Sequence, residues 1–431
     1  MGGVLSSGSG TCERGLCLFR KGLSGPSAPQ ELRETATLGF HTAYGGAAAL
    51  MGVAPGRAEV LGNHTDYNEG FILAAAIDRY VVVAGRRAPD ERGSRCRVAS
   101  ESFPGAPIEF DAALQPEAFA TKNKQSGNKA WANYVIGVVS ELRKLGIKIG
   151  GFDAFLSSNV PPGAGVSSSA AVEMATALLL KGLFPEALGQ YDQLALVKVA
   201  KAAENNFVGM GCGILDQFSS GMGQAGSLIY LDCRTLDCSY VPMAGAQFVL
   251  ANTHAPHALV DGKYDELRKD CFAAKDVFVK ASGDKSITHL RDVNAEMLAT
   301  HGIKLSHGQR KRASHIITEN DRVFQGVEAC KAGDMETLGK CMSESHVSSR
   351  DFFGNSCREL DIMQKLAHGI EGHLGSRLMG GGFGGSTINL VKDEHVEAFV
   401  AELSKRYEAE AKIKPTVLIC STGDGAFCEA L

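Results

Sequence analysis

Apolar residues recur at two spacings along the chain, and the two spacings predict helices and strands in mixed order. In segment 131–145, Val135, Val138, Val139 and Leu142 recur with helical spacing. Short apolar runs such as SLIYLDC and QFVLANT are typical of strands. The predicted helices cover residues 31–44, 131–145, 168–180, 194–207, 261–280, 311–332, 335–346, 357–368 and 397–407. The predicted strands cover residues 49–53, 58–61, 70–83, 152–156, 227–233, 247–253, 386–391 and 415–420.

Helices and strands mixed throughout a chain indicate the α/β or α+β class. The 431 residues suggest two or three domains at about 100–200 residues per domain. A glycine-containing stretch at 221–226 is a plausible boundary. We therefore predict a flexible Gly/Ser-rich extension at 1–30, an N-terminal domain at 31–222 and a C-terminal domain at 223–431.

Composition and charge narrow the function classes. The net charge of −4 gives no basic field that would attract nucleic acid or an anionic membrane. No apolar run reaches the roughly 18–20 residues that span a bilayer. The 12 cysteines are irregularly spaced without a C-x-x-C pair, which argues against a structural zinc site and a disulfide scaffold. We expect reduced thiols in a cytoplasmic protein. A monomer and a dimer both remain open.

The strongest local feature is the segment VPPGAGVSSSAAVE, residues 160–173, between a predicted strand and a predicted helix. Gly163 and Gly165 allow the backbone to wrap tightly. The serines Ser167, Ser168 and Ser169 follow at the helix start, where unpaired N–H groups and the helix dipole favour an anion. The segment predicts a phosphate cradle, with a plain serine cap as the alternative. It is not a G-x-x-x-x-G-K-[ST] loop.

Residues 54–70, APGRAEVLGNHTDYNEG, place Arg57, His64 and Asp66 in a short polar stretch. Carboxylates and amides such as Asp66 and Asn63 suit the paired hydroxyls of a polyol. Arg57 is suited to a phosphate or a catalytic carboxylate. A polar turn bonded to its own backbone is the alternative.

Two further glycine-rich segments carry candidate chemistry. GGGFGG at 380–385 matches G-x-G-x-x-G, but a dinucleotide-binding loop opens a helix and residues 386–391 predict a strand. Close approach to a ligand or a neighbouring domain is the better interpretation. Between residues 203 and 218, Glu204 and Asp216 flank a glycine-rich break. Acids there suit an Mg²⁺ ligand and a group that orients a hydroxyl, or simple solvated residues.

Together these segments resemble the GHMP kinase superfamily, and within it the galactokinases. Residues 56–68 resemble the galactokinase signature, residues 162–173 the family's ATP-binding loop, and residues 380–385 its third motif. WANY at 131–134, GILDQF at 213–218 and SESHVSSRD at 343–351 match in the same order. The resemblance implies a two-domain GHMP-kinase-type fold with the active site between the domains. It also implies an ATP-dependent kinase that phosphorylates the anomeric C1 hydroxyl of galactose.

The resemblance also implies a role for each matching residue. Asp216 would be the catalytic base, with Arg57 beside it. Ser169 and Glu204 would hold Mg²⁺, and Trp131 would lie near adenine. The phosphates of ATP would contact Gly163, Gly165, Ser167, Ser168 and Ser169. The sugar would contact Asn63, His64, Asp66, Gly213 and Tyr264.

Within residues 56–68, two positions depart from the family pattern, and Met379 replaces a usual threonine before the glycines at 380–385. Asn63 stands where galactokinases usually carry a glutamate, and Glu59 where they usually carry an asparagine. Loss of a charge at residue 63 leads to the hypothesis that the protein accepts C6-altered sugars such as galacturonate. Arabinose and N-acetylgalactosamine also remain open as substrates. A non-catalytic sugar and ATP sensor is the alternative class, and the intact Ser169–Ala170 pair favours an enzyme.

Overall fold

The structure, a computed structural model, describes residues 28–255 and 262–431. Most of the predicted extension at 1–30 lies outside these ranges. The strands are β1 (Leu50–Leu61), β2 (Phe71–Arg87), β3 (Arg95–Ser100), β4 (Ile108–Asp111), β5 (Phe152–Ser158), β6 (Ser227–Asp232), β7 (Cys238–Pro242), β8 (Ala246–Asn252), β9 (His373–Leu378), β10 (Ser386–Lys392), β11 (Thr416–Cys420) and β12 (Phe427–Ala430). The helices are α1 (Gln30–Tyr44), α2 (Pro116–Asn123), α3 (Asn133–Lys144), α4 (Ser168–Leu183), α5 (Pro185–Leu188), α6 (Gln193–Ala202), α7 (Leu215–Met222), α8 (Lys263–Ser282), α9 (Ala295–His301), α10 (His307–Ala332), α11 (Met335–Ser348), α12 (Arg358–Ala367) and α13 (Val396–Ala411).

The strands of the described residues form two sheets, which confirms the mixed α/β class. The eight-stranded sheet has the order β12-β1-β2-β5-β3-β4, and β6 and β7 extend it beside one half of the long strand β2. The four-stranded sheet has the order β11-β8-β10-β9 and is antiparallel. In the larger sheet only β3 and β5 pair in parallel among the strands described.

One predicted interruption between two strands is wrong. Residues 49–53 and 58–61 were expected to be separate strands, whereas β1 runs through both. Its register against β2 shifts between Pro55 and Arg57 and again between Glu59 and Leu61. Such irregularities bend a strand and redirect its side chains without ending it. The polar residues of this segment therefore project from a bent central strand.

The change from one sheet to the other falls later than residue 222. Strand β6 pairs with β2, and β7 pairs with β6, so the larger sheet continues to Pro242. The smaller sheet begins with β8 at Ala246. Strand β12 returns to pair with β1. The domain boundary between residues 222 and 223 stays a prediction. The change from one hydrogen-bonded sheet to the other lies between Pro242 and Ala246.

Helix α4 lies against β1, and this contact positions the phosphate loop. A side chain at Gly52 would place its Cβ 2.1 Å from the carbonyl oxygen of Ala175, so a glycine is needed for the helix to approach. Further along the strand, the Arg57 N–H donates to the Val166 carbonyl at 3.1 Å. The start of α4 is thereby fixed beside Arg57.

The smaller sheet has its own core and is joined to the larger one by α10 and α11. Phe399, Leu403 and Tyr407 of α13 pack with strand residues Val249 and Val391 in a buried apolar cluster. Helix α10 reaches the larger sheet through side chains that accept hydrogen bonds from the backbone between β1 and β2. None of the helices within the described ranges is both long and apolar enough to cross a membrane.

Candidate active site

Asp216 lies in the first turn of α7 and is held by two partners. Arg57 Nε donates to Asp216 Oδ1 at 2.8 Å, and the Ser167 hydroxyl donates to Oδ2 at 2.5 Å. The Asp216 side chain remains 25% exposed. The two contacts fix the carboxylate while leaving it open to a ligand. The two residues predicted to be catalytic are therefore in direct contact.

Arg57 is a buried cation that links this carboxylate to the phosphate loop. Its Nη1 donates to the Gly165 carbonyl at 2.6 Å. Burial opposes its charge, but Asp216 and Glu59 raise the pKa of Arg57 above its ordinary value. The guanidinium is therefore a fixed positive charge between Asp216 and the loop.

The predicted phosphate loop has the backbone that a close anion contact requires. Gly163, Gly165 and Ser167 all have positive φ values, of 68°, 73° and 56°. Ser168 is the first residue of α4, and Ser169 is in its first turn. No side chain in the described part of the chain caps the N-terminus of α4. Its first N–H groups are therefore available to an anion.

Behind the loop, Glu204 belongs to a cluster of acids. It lies in a π-helical turn at Ala203–Val208 and is buried. Burial and the nearby Asp216 raise the pKa of Glu204, while a hydrogen bond from Ser169 opposes the shift. Gln217 Nε2 donates to Glu204 at 2.5 Å and to Glu173 at 3.0 Å. The predicted metal ligands Ser169 and Glu204 thus contact each other beside Asp216.

These acids fit a divalent cation that is shared with phosphate. Among the described residues, no three His, Cys, Asp or Glu side chains form a metal site by themselves. Mg²⁺ typically takes one or two carboxylates from the protein and completes its shell with substrate phosphates and water. Glu204 beside the phosphate loop matches that pattern, because its carboxyl has no positively charged partner among its hydrogen bonds.

Four of the predicted sugar contacts lie close together, and two of them, Asp66 and Tyr264, lie near enough to Asp216 to interact with its charge. Asp66 lies so close to Gly213 that a Cβ on this glycine would be 1.9 Å from Asp66 Oδ2. Burial and the negative charge of Asp216 raise the pKa of Asp66 to about 6. The rings of His64 and Tyr264 have their centroids 5.3 Å apart. Burial lowers the pKa of His64 to about 3, so this imidazole is neutral.

Asn63 is placed differently from what the sequence suggested. Only 1% of its surface is exposed, and its side-chain oxygen accepts hydrogen bonds from Asn355 and Ser349. Its Nδ2 donates to both carboxylate oxygens of Glu59, at 3.1 and 3.3 Å. The negative charge expected to be missing at residue 63 is supplied by Glu59. The hypothesis of C6-altered sugars therefore loses its electrostatic basis, while a sugar contact at Asn63 stays a prediction.

Trp131 lies on the 3₁₀ turn that precedes α3. Its ring is nearly parallel to that of Phe103, with centroids 5.7 Å apart and planes inclined by 8°. Phe103 is 50% exposed. The pair presents a flat aromatic surface that suits a nucleotide base, and its role near adenine remains a prediction.

Several polar residues of the site escaped the sequence analysis. Glu173, Gln217, Asn355 and Glu319 all make contacts that join segments far apart in the chain. One local signal was available for Glu173, which is a single acid on an otherwise apolar stretch of α4. A lone acid in a buried helix indicates a polar partner in the fold.

Comparisons with known proteins agree with this geometry. The galactose-binding signature of galactokinases matches residues 39–87, the N-terminal domain of GHMP kinases matches 133–224, and their C-terminal domain matches 327–409. A galactokinase of Roseiflexus sp. is 37% identical over 397 residues, which are 92% of this chain and 96% of that protein. The chain belongs to the galactokinase family.

Other members of the galactokinase family support the assignment. A galactokinase of Chloroflexus aurantiacus is 38% identical over 90% of this chain and 96% of its own length. The crystal structure of Lactococcus lactis galactokinase complexed with galactose has a TM-score of 0.82 and 30% identity, covering 90% of this chain and 98% of that one. A mevalonate kinase structure, at 15% identity and a TM-score of 0.58, shares the fold. Like other galactokinases, the protein is a phosphotransferase with the two-domain GHMP kinase fold.

Proposed function

We propose that this protein transfers the γ-phosphoryl group of ATP to the C1 hydroxyl of galactose. The observation that carries the proposal is Asp216, which is held by Arg57 and Ser167 between the phosphate loop and the galactose-binding signature. A carboxylate in that position can accept the proton of an attacking sugar hydroxyl. The galactokinases named above, including one whose structure contains galactose, support galactose as the sugar.

In the proposed reaction, the C1 oxygen of galactose forms a bond to the γ-phosphorus. The bond between that phosphorus and the β–γ bridging oxygen breaks, and ADP leaves. The hydroxyl proton passes to the Asp216 carboxylate. Arg57 keeps this carboxylate oriented and places positive charge beside the transferring group. Asp66 accepts hydrogen bonds from the sugar hydroxyls.

The phosphates of ATP bind at the N-terminus of α4, against backbone N–H groups of the loop from Gly163 to Ser169. Ser169 and Glu204 would hold Mg²⁺, which supplies positive charge to the phosphate oxygens. Trp131 contacts the adenine side of the nucleotide. We also infer a cytoplasmic setting, because cysteines such as Cys96, Cys271 and Cys330 are free thiols.

The test is ADP release with Mg-ATP and a panel of galactose, N-acetylgalactosamine, galacturonate, arabinose and glucose. We expect turnover with galactose, and a fall in kcat by about 10²–10⁴-fold in Asp216→Asn. Galactose binding, followed by calorimetry, should persist in that variant because the side chain keeps its shape. Binding of galactose and ATP without turnover of any sugar would contradict the kinase and favour a sensor.

A further inference from the structure

The glycine-rich loop of residues 380–385 lies where three functional segments meet. A Cβ at Gly380 would be 3.4 Å from the carbonyl oxygen of Gly165 in the phosphate loop and 3.8 Å from Arg57 Nη2. A Cβ at Gly381 would be 3.6 Å from the Tyr264 ring. The backbone of this loop therefore forms part of the wall behind Arg57 and the phosphates.

The loop needs anchors, because its backbone has little intrinsic preference for one conformation. Five of its six residues have positive φ values, and four of those five are glycines. Glycine loses more conformational freedom than any other residue when it is ordered. External hydrogen bonds must therefore hold the loop in the position that the active site requires.

Two buried side chains from the end of β1 and the following turn supply the bonds to Gly380, while Asn355 bonds the loop at Gly381 and Phe383. The Gly380 N–H donates to Glu59 Oε2 at 2.9 Å, and Asn63 Nδ2 donates to the Gly380 carbonyl at 2.8 Å. Asn63 Nδ2 also donates to both oxygens of Glu59. We call these two residues the Glu59–Asn63 clamp. Glu59, Asn63 and the backbone of Gly380 together form a closed ring of hydrogen bonds.

The surroundings fix which member of the clamp is the acid and which the amide. The Asn63 oxygen accepts from Asn355 Nδ2 at 3.0 Å, so the Asn63 NH₂ group must face Glu59. Arg377 Nη1 lies 3.7 Å from Glu59 Oε1 and is fully buried, so it favours a carboxylate there. Residue 59 must accept two hydrogen bonds, and residue 63 must donate.

We propose that Glu59 and Asn63 are positioning residues, which hold the glycine-rich loop against Arg57 and the phosphate loop and thereby sustain the rate of phosphoryl transfer. The inference rests on the proposed galactose kinase activity. Because the clamp faces the loop and not open solvent, its loss should lower kcat and leave the KM for galactose nearly unchanged.

The test compares Glu59→Gln, Asn63→Asp and the double variant. In Glu59→Gln, one of the two donors aimed at residue 59 meets an NH₂ group. In Asn63→Asp, two carboxylates and the Gly380 carbonyl face one another. We expect kcat to fall about 10-fold in the first and about 100-fold in the second, with the KM for galactose within about threefold of wild type. The double variant regains a donor–acceptor pair and should recover kcat at least about tenfold relative to Asn63→Asp.

A second readout does not depend on turnover. Hydrogen exchange of the peptide that covers residues 379–385 should be faster in both single variants than in wild type. Asp153→Asn is the matched control, since Asp153 is a buried carboxylate paired with Arg92 and Arg97 in the larger sheet. It should lower the thermal midpoint and leave both kcat and this exchange unchanged.

Three results would overturn the clamp. The first is that the fold-losses of kcat in the two single variants multiply in the double variant. The second is that hydrogen exchange of residues 379–385 is unchanged in the single variants. The third is a large rise in the KM for galactose at constant kcat. A wild-type protein that does not turn over galactose would refute the proposed function, and the exchange comparison would still decide the clamp.

Discussion

Two glutamates of this protein are equally buried, and their surroundings shift their pKa values in opposite directions. Glu319 of α10 accepts hydrogen bonds from the N–H groups of Gly62 and Asn63, from Arg322 Nε at 2.7 Å and from the Ser345 hydroxyl at 2.6 Å. Burial opposes its ionisation, but Arg322 and His315 outweigh burial and hold the pKa of Glu319 well below its usual range.

Glu173 of α4 is the contrasting case. It accepts one hydrogen bond, from Gln217, and its Oε1 has no partner among the described residues. Burial and the neighbouring Glu204 raise the pKa of Glu173 well above its usual value. Burial therefore favours the neutral form of its carboxyl.

The hydrogen-bond network around Glu319 is complete, whereas the network around Glu173 leaves one carboxyl oxygen without a described partner. The charge of Glu319 is balanced within the protein, and it holds the galactose-binding segment against the second half of the chain. Near Asp216 the acids outnumber the cations, and Arg57 is already bonded to Asp216. An excess of buried negative charge is costly without a ligand, and it fits a site that Mg²⁺ and ATP complete.

The largest expected effect is at Glu319, whose charge is balanced by its neighbours. Glu319→Gln removes the charge that Arg322 faces, so the free energy of unfolding should fall by about 3 kcal/mol in urea titrations at pH 7. Because the folded pKa of Glu319 is lowered, this stabilisation is present above its unfolded pKa near 4.5 and is lost as the pH falls below that value.

Glu344→Gln is the control for this substitution. Glu344 lies on the next helix, α11, its side chain is 50% exposed, and it is 3.9 Å from Lys340. Removal of its charge should change the free energy of unfolding by less than about 0.5 kcal/mol. A loss below about 1 kcal/mol in Glu319→Gln would mean that the network does not depend on the charge.

An intermediate effect is expected at Asp66, which belongs to the acids near Asp216. Since its pKa is raised to about 6, Asp66 gains a proton as the pH falls through that value. The protonated form loses acceptor capacity for sugar hydroxyls, so the KM for galactose should rise about tenfold between pH 7 and pH 5. Asp66→Asn should bind galactose weakly with a flat pH profile over that range. A profile in Asp66→Asn that matches wild type would assign the titration to another group.

The smallest effect is expected at Glu173. Because burial favours the neutral form of this carboxyl, Glu173→Gln keeps its shape and should change its charge little. The free energy of unfolding should change by less than about 0.5 kcal/mol, and kcat should stay within about threefold of wild type. A hundredfold loss of kcat would show that Glu173 is ionised in the working enzyme and would remove the contrast with Glu319.

Local patterns were sufficient for the helices of ten or more residues and for the backbone of the predicted phosphate loop, but they missed the short helices α2, α5, α7 and α9. Helix α4 begins at Ser168, as its serine run and the preceding glycines predicted, because a helix start is encoded within a few residues. The strand after residues 380–385 was also confirmed, as β10. The predicted break between residues 53 and 58 was wrong because pairing with β2 continues on both sides of the irregularity at Pro55 and Arg57.

The polar framework of the site could not be read from the sequence. Glu319 and Asn63 are 256 residues apart, and Asn355 and Asn63 are 292 apart, so no local pattern links them. The departures at residues 59 and 63 were noticed separately, and only the fold shows that these side chains touch. One signal was available, since His315 and Glu319 are four residues apart on one face of α10.

Strand β12 has a consequence for the way this protein is made. It pairs with β1, which leaves the ribosome more than 350 residues earlier. At about 5–20 residues per second, roughly tens of seconds of synthesis separate the two strands. During that interval the outer edge of β1 is unpaired, so the nascent larger sheet waits with an open edge that another chain could occupy. Pairing of β12 with Leu50–Val53 therefore closes this edge only after the rest of the described fold has been synthesised.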